Sequence, residues 1–245
     1  MPTTEREAGI AEAVSDLARH AVDFDAPQLL QDLTTHTLAL LPPQCAGVTL
    51  LDDDGRVAYT IASDELSRQL ESHQAELGEG PGPDSVGREE PLGPVALRAT
   101  GPDSLRWPRF GPRARALGVI SVAAVPLRVS DHALGALDLF STRPPLPSAL
   151  DLSVARSLAT VAASSLLLER RLKGQQVVVG QLRQALESRV VIEQAKGILA
   201  ERLQISVDEA FRRLRAHARS QGRRLTVLAA EIAEGAGPGE LDPSP

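Results

Sequence analysis

The feature that most constrains this chain is a stretch in its C-terminal half, from Leu158 to Leu203, which contains no proline and three glycines. Proline interrupts helices, so a proline-free run of this length predicts one long helix. Ser148 comes directly after the proline-rich segment 144–147 and is a natural N-cap for its start. The helix therefore divides the rest of the chain into a large N-terminal part and a small C-terminal part.

The long stretch carries an apolar repeat of seven residues, which is typical of a coiled coil. One row comprises Leu158, Ser165, Leu172, Val179 and Leu186, and a companion row three positions later comprises Val161, Leu168, Gln175 and Leu182. Two readings are open: the helix packs on the chain's own core, or it pairs with a second copy.

The first reading suits the helix up to about Leu168, and the second suits it beyond Arg170, where no sheet is expected to cover the apolar row. We therefore expect a parallel homodimer. Gly174 and Gly180 each weaken the helix by about 1 kcal/mol, so we also expect a flexible joint there.

The first 100 residues alternate between helical and strand patterns. Apolar residues at helical spacing predict two helices within residues 1–44, the second starting after Asp25. Two β-prone runs, Ala46–Leu51 and Arg56–Ala62, flank an Asp-rich turn and predict a hairpin. Residues 65–76 form a plausible helix, whereas the glycine- and proline-rich segment 78–94 predicts irregular structure.

Three more strands are predicted before the long helix. The first is short, Pro94–Leu97, and precedes a loop that contains Trp107. The apolar runs Val119–Val129 and Ala133–Ser141 predict central strands of a sheet. Pro126 indicates an edge, a bulge or a strand end at that point.

The order of these elements and four short motifs resemble a GAF domain over roughly residues 15–172. The motifs are GEGPG, RWPRF, GVISVAAVPL and ALGALDLFS. The resemblance implies an antiparallel sheet with flanking helices, and it implies an unknown small-molecule ligand, or a protein partner, at this domain. In related bacterial sensors a cysteine often comes after the loop's Gly-Pro, but here Gly82 stands there.

No cofactor is predicted. Cys45, the single cysteine, is expected to be a buried apolar residue, and the five histidines show no ligand spacing. Neither a haem nor a bilin is expected, and no nucleophile, metal or phosphate-binding constellation predicts an enzyme.

The last segment divides into three predicted helices: one from about Val177 or Ser188 to Leu203, one from the capping box at Ser206 to about Ser220, and one over Leu225–Glu234. The apolar residues of this segment are spaced so that they can form the core of three packed helices. They are Val191, Ile192, Ala195, Ile198, Leu199, Leu203, Val207, Ala210, Phe211, Leu214, Leu225, Leu228, Ala229 and Ile232. Residues 236–245 are expected to be a disordered tail.

This segment is basic in an acidic chain. The net charge of the chain is −6, yet residues 187–235 contain nine basic and seven acidic residues. Six arginines and no acid lie between Arg212 and Arg224. Guanidinium groups suit phosphates and base edges, although a basic face can also be merely solvated.

The same segment closely resembles an ANTAR domain through EQAKGIL, the AFRRLR step and the ARSQGRRLTVLA ending. The resemblance implies RNA binding by a dimer that recognises paired hairpin loops in nascent transcripts and prevents terminator formation. The matching positions, taken as exposed, are Arg189, Gln194, Ala195, Lys196, Gly197, Arg215, Ala218, Arg219 and Arg224. Ala195 and Gly197 would permit close backbone approach, and the basic residues would hold phosphates or bases.

The sequence therefore predicts an α+β fold with four parts: a GAF sensor domain over residues 1–172, a coiled-coil transmitter over 173–187, an all-α three-helix ANTAR module over 188–235, and the tail. The predicted function is a signal-responsive antiterminator. Two alternatives stay open, a DNA-binding regulator and a sensor that acts through protein contacts alone. The N-terminal residues lack a signal-peptide pattern and no continuous apolar run reaches about 18–20 residues, so a cytoplasmic protein without a membrane partner is expected.

Overall fold

A computed structural model describes residues 3–21, 24–100 and 105–235, so the tail predicted for 236–245 lies outside the described residues. Two helices open the chain, α1 (Thr3–Arg19) and α2 (Ala26–Leu40). Asp25 caps α2 by accepting a hydrogen bond from the amide of Gln28 at 3.2 Å. Both predicted helices are confirmed.

Five strands form one antiparallel sheet, as the sequence predicted. They are β1 (Cys45–Leu51), β2 (Val57–Ala62), β3 (Leu92–Ala96), β4 (Ser121–Val129) and β5 (His132–Ser141), in the order β2-β1-β5-β4-β3. β1 and β2 are the predicted hairpin, and β4 and β5 occupy inner positions.

Pro126 lies where β4 has a neighbour on one side only. The pairing of β3 with β4 ends at Ala124, whereas Pro126 is opposite Ala136 of β5. A proline cannot donate to a ladder, and β4 is locally an edge strand at this point. The edge predicted from Pro126 is confirmed.

Helices cover both faces of the sheet. One face packs against α1, α2 and the first part of α6 (Ala149–Leu203). The other face packs against α3 (Glu65–Leu77) and α5 (Phe110–Ala116), with Trp107 buried beside Phe110. Side chains alternate along β5, so that Leu137 and Leu139 belong to the first core and Phe140 to the second.

The glycine- and proline-rich segment is not irregular throughout, which corrects the sequence prediction. It contains α4 (Pro81–Arg88), preceded by Gly78 and Gly80 with φ angles of 62° and 143°. The glycines make the turn that starts the helix, and Pro81 suits its first turn because no intrahelical donor is needed there. Helix α5 was also missed, because Gly111 and Pro112 lie within its first turn.

The predicted long helix is confirmed as α6, a 55-residue helix that begins after Ser148. The hydroxyl of Ser148 accepts from the amide of Asp151 at 3.2 Å, as an N-cap does. The helix is unbroken at Gly174 and Gly180, so the structure gives no sign of the expected joint. By contacts the chain divides into one unit that ends at Arg171 and a second that begins at Leu172.

The heptad rows differ in burial along α6. Leu158 and Ser165 are buried in the first unit, which removes them from any seam with a second copy. From Leu172 onward the row is open: Leu172 is 43% exposed and Leu186 is 64% exposed. The burial therefore agrees with the predicted change near Leu168, from packing on the chain's own core to an open apolar row.

The second unit packs the end of α6 against α7 (Val207–Ser220) and α8 (Leu225–Ala233). Ser206 caps α7 by accepting from the amide of Glu209, and Gly222 adopts a left-handed φ of 62° after the helix ends. The three helices are confirmed. Two residues assigned to their core lie outside it, because Val207 is exposed and Phe211 is half-buried.

By length and composition α6 also contains an 18-residue window apolar enough to cross a bilayer. The sequence contains no continuous apolar run of that length, so this window was not predicted. A helix buried in a protein core passes the same test, and Ala155, Leu158 and Ala162 in the first part of α6 are fully buried.

Candidate nucleic-acid interface and sensor cavity

The arginines of the second unit fall into two groups, of which the first is paired within the unit. Arg212 and Arg213 both form ion pairs with Glu209, three and four residues earlier on α7, the spacings at which side chains of one helix meet. Arg223 pairs with Glu231 of α8. The charges of these arginines are already partly neutralised.

The second group projects without an acidic partner. Arg183, Arg189, Arg202, Arg215, Arg219 and Arg224 are exposed, and none forms an ion pair with any residue in the described ranges 3–21, 24–100 and 105–235. Arg215 and Arg219 are four residues apart on α7 and so lie on one face. Four of these six were predicted site residues; Arg183 and Arg202 were not.

Lys196 is held against the junction of α6 and α7. Its ammonium group donates to both carboxylate oxygens of Glu193 at 2.9 Å and lies 5.3 Å from the ring centroid of Phe211. The side chain is 15% exposed. Arg189 precedes it by seven residues, two helical turns, and therefore lies on the same side of α6.

Gln194 and Gly197 form an open part of the α6 surface. Both are exposed, and a Cβ added at Gly197 would meet no atom within 4 Å. The glycine leaves the helix backbone uncovered there, which fits the predicted close approach of a ligand.

Two predicted site residues are not exposed, which is a correction. Ala195 is 0% and Ala218 is 3% exposed, and both belong to the core of the three helices. Their small side chains let α6 and α7 pack closely, so their place in the motif has a structural cause. The remaining seven positions lie at the surface or, for Lys196, partly below it.

The first unit contains a cavity of about 320 Å³ between α3, α4 and the strands β1, β2 and β5. This size lies at the lower end of the range for small-molecule pockets. The residues that line it are Thr49, Leu51, Gly55, Val57, Glu71, Gln74, Ala75, Gly78, Gly82, Pro83, Val86, Gly87, Gly135, Ala136 and Asp138.

Three buried polar side chains meet at one side of the cavity. The amide nitrogen of Gln74 donates to Asp138 at 3.1 Å and to Glu71 at 3.3 Å. The hydroxyl of Thr49 donates to Glu71 at 2.9 Å, and the amide of Gly82 donates to the carbonyl oxygen of Gln74 at 2.9 Å. α3, α4, β1 and β5 each contribute to this network.

The two acids of the network bind their protons unusually tightly. Burial raises the pKa of Asp138 to about 7, and burial together with the neighbouring charge of Asp138 raises the pKa of Glu71 well above its ordinary value. The negative charge of each carboxyl disfavours ionisation of the other, so a state in which one of them carries a proton is favoured.

Glycines make room for this network. A Cβ at Gly47 would approach Glu71 to 2.1 Å, and a Cβ at Gly82 would approach Asp138 to 2.5 Å. A cysteine at position 82 would therefore clash with Asp138. Cys45 lies elsewhere and is buried as predicted, with a pKa raised to about 12 by burial.

Sequence reasoning missed Glu71, Gln74 and Asp138. Asp138 and Gln74 are 64 residues apart in the chain, so no local spacing joins them. One signal was present: Asp138 is the single charged residue within the apolar run ALGALDLF, where a charge is costly unless it has a partner. Within the described residues no group of three or more metal-ligating side chains occurs.

The fold and these two sites define a class of protein, a sensor domain joined to a small helical output module. The family model of the GAF domain matches residues 25–166, more than half of the chain, and the model of the ANTAR domain matches residues 180–232. The chain belongs to the GAF family and is a GAF–ANTAR two-domain regulator. No curated protein sequence matches it.

Solved structures share the fold at low identity. A bacteriophytochrome from R. palustris is 11% identical, with a TM-score of 0.51, and the match covers 87% of this chain and 47% of that one. The chromophore-binding domain of a bacteriophytochrome from R. palustris is 13% identical, with a TM-score of 0.48 and coverages of 69% and 62%. The chain thus spans less than two thirds of either, and the likeness concerns the fold alone.

A third similar structure is the GAF domain from a phosphoenolpyruvate-protein phosphotransferase from Coxiella burnetii. It is 17% identical, with a TM-score of 0.48, and the match covers 69% of this chain and 98% of that one. Together the GAF and ANTAR domains support a signal-responsive regulator whose output module is of an RNA-binding type.

Proposed function

We propose that this protein is a cytoplasmic transcription antiterminator that binds paired hairpin loops in nascent RNA and carries out no catalysis. The observation that carries the proposal is that most of the basic residues assigned to RNA by the ANTAR motif have no acidic partner in the folded chain. Of the five, the four arginines, Arg189, Arg215, Arg219 and Arg224, have none among the described residues, whereas Lys196 pairs with Glu193.

Unpaired arginines suit this role because binding a phosphate costs them no internal ion pair. Arg212 and Arg213, which the motif does not assign, are engaged by Glu209. A cation that must first leave a carboxylate gains less from an RNA phosphate than a free one does. The supported interface therefore includes Arg215 and Arg219 on α7 and extends toward Arg224.

A homodimer is the second part of the proposal. Leu172, Val179, Leu182 and Leu186 recur at heptad spacing and are between 43% and 64% exposed. Four large apolar side chains along the two adjacent rows are costly in water, and a second copy of the same helix would cover them in a parallel coiled coil. Two RNA modules joined in this way would suit two hairpin loops.

The RNA part is tested by competition between hairpin RNA and duplex DNA of equal charge, at several salt concentrations. The full chain is expected to prefer the RNA. The double variant Arg215→Ala and Arg219→Ala should weaken RNA binding at least about tenfold, roughly 1.4 kcal/mol. The matched control is Arg212→Ala with Arg213→Ala, which removes the same charge from the same helix.

The outcomes separate the candidate functions. Equal preference for duplex DNA would favour a DNA-binding regulator. Unchanged activity in cells for the Arg215 and Arg219 variant would favour a sensor that acts through protein contacts alone. Equal loss of binding in both double variants would mean that only net charge matters, which would contradict the proposed interface.

The dimer part is tested with Leu182→Glu and sedimentation equilibrium of the full chain. A charge in the seam should favour the monomer and weaken binding of two-loop RNA more than binding of a single loop. Gln184→Glu, exposed on another side of the same turn, is the control. A wild-type protein that is monomeric at every concentration and binds two-loop RNA fully would contradict this part.

A further inference from the structure

The cavity of the first unit has an apolar part and an acidic part. Leu51, Val57 and Val86 are among its apolar walls, and Glu71 and Asp138 form its acidic side. A ligand that fills such a cavity must have a matching apolar body and a polar head. The chemistry of the acidic side determines what that head can be.

Both acids are buried and incompletely satisfied. Glu71 is 2% and Asp138 is 0% exposed. Their second oxygens, Oε1 of Glu71 and Oδ1 of Asp138, receive no N–H or hydroxyl donor from the described residues. A buried oxygen without a donor is costly, so the site favours a molecule that brings donors to it.

Charge also selects against anions. Among the described residues that line the cavity there is no Lys, Arg or His. A phosphate or carboxylate placed here would be without a cation and would lie beside two acids, which raises its free energy. This disfavours cyclic nucleotides and other phosphate-bearing ligands.

We propose that this cavity binds a small organic cation, whose amine, amidinium or guanidinium head lies between Glu71 and Asp138 and whose apolar body lies along Leu51, Val57 and Val86. The inference rests on the proposed sensor function of the GAF domain. It names the chemical class of the signal, which the family likeness alone does not provide.

Binding of the cation replaces a proton. Without a ligand, burial and the charge of the neighbouring acid favour a proton on at least one of the two carboxyls. The groups that face this pair are Thr49 from β1, Gln74 from α3 and Gly82 from α4, none of which titrates near neutral pH. A cation that donates N–H groups to both carboxylates makes that proton unnecessary, so it is released to the solvent.

The test uses three probes of nearly equal shape and different charge: benzamidine, benzamide and benzoate. We expect benzamidine to raise the melting temperature of the full chain by about 5–10 °C at a hundredfold excess over its dissociation constant. Benzamide and benzoate should give no comparable rise. Titration calorimetry near pH 6, in two buffers of different ionisation enthalpy, should show release of up to about one proton per benzamidine bound.

Two further cations, 2-phenylethylamine and agmatine, extend the test beyond one shape. The inference is overturned if none of the three cations stabilises the protein more than benzamide or benzoate does. An equal rise with magnesium or calcium chloride would also overturn it, because the site would then be one for inorganic cations.

Substitutions of the two acids test whether benzamidine binds at Glu71 and Asp138. Glu71→Gln and Asp138→Asn keep the shape of each side chain and should each weaken benzamidine binding at least about tenfold. Glu76→Gln lies on the same helix, α3, where Glu76 is exposed and paired with Arg113, and it should bind as the wild type does. Unfolding of each variant without ligand is measured first, so that a loss of binding is separated from a loss of folding.

Hairpin RNA binding by the same preparations distinguishes this inference from the proposed function. Absent cation selectivity with intact RNA binding would refute the ligand class alone. Intact cation selectivity with no RNA binding would refute the output function and leave the cavity assignment standing.

Discussion

The ammonium group of Lys196 lies 5.3 Å from the centre of the Phe211 ring, across the junction of α6 and α7. A cation over an aromatic face contributes about 0.5–1 kcal/mol at a partly exposed site. Glu193 holds the same ammonium from the other side at 2.9 Å. Lys196 therefore stabilises the junction of α6 and α7, and it also places a positive charge at the edge of that junction.

Substitution of Lys196 by Met separates these roles. The Met side chain can still cover Phe211, so the free energy of unfolding should fall by less than about 1 kcal/mol. Loss of the charge should weaken RNA binding and reduce the slope of log affinity against log salt by about one. Parallel measurements of unfolding and of RNA binding at several salt concentrations check this, and a large loss of stability with unchanged RNA binding would assign Lys196 to structure alone.

Ala218 and Ala216 provide a matched pair on α7. Ala218 is buried in the three-helix core, whereas Ala216 is exposed. Ala218→Leu should reduce the free energy of unfolding by about 1–3 kcal/mol through overpacking, and Ala216→Leu should change it by less than about 0.5 kcal/mol. Denaturant unfolding of the full chain measures both. If Ala218→Leu unfolds as the wild type does, the burial assigned to Ala218 is wrong.

Gly82 and Gly87 provide a second matched pair, on α4. A Cβ at Gly82 would lie 2.5 Å from Asp138, whereas a Cβ at Gly87 would meet nothing within 4 Å. We expect Gly82→Ala to destabilise the first unit by about 1–3 kcal/mol, because the buried network must shift. Gly87→Ala should instead stabilise it by up to about 1 kcal/mol through helix propensity. Thermal unfolding gives the sign of each change, and a stabilising Gly82→Ala would contradict the close packing.

The acid pair predicts how stability depends on pH. Asp138 has an ordinary pKa of 3.8 and a folded pKa of about 7, so between these values the folded state binds more protons than the unfolded state. The free energy of unfolding should therefore be greatest at low pH within this window and fall as the pH rises from about 5 to 8. The raised pKa of Glu71 acts in the same direction.

Asp138→Asn checks this dependence, because it removes the titrating group and should flatten the fall in stability. Glu76→Gln is the control. Arg113 lowers the pKa of Glu76 through a hydrogen bond, so removal of this exposed acid should leave the slope between about pH 5 and 8 unchanged. A wild-type protein whose stability rises over that interval would contradict the raised pKa of Asp138.

Local patterns were sufficient for much of the fold. Helix α6 was predictable from the absence of proline, the hairpin of β1 and β2 from its Asp-rich turn, and the start of α7 from the capping box at Ser206. Each of these depends on residues that are near one another in sequence. Helix α4 was not predicted because glycine and proline destabilise the interior of a helix, whereas both are tolerated at its start.

The surface of the RNA module was predictable in part. A motif identifies which residues recur, but it does not separate those that touch a ligand from those that let helices pack. Arg215 and Ala218 belong to the same motif, yet one is exposed and the other is buried. Burial depends on the angle of each residue around α7 relative to its neighbours, and this became known with the packing of the three helices.

The order of the domains, the long helix and the family of the output module could all be obtained from the chain's residues alone, because they depend on composition, periodicity and short motifs. Three features became known through the packing of the folded chain: that Ala195 and Ala218 are buried, which arginines have acidic partners, and that Glu71 and Asp138 lie in one buried site. Contacts between residues many positions apart arise when the sheet and helices pack, and a linear pattern does not encode them locally.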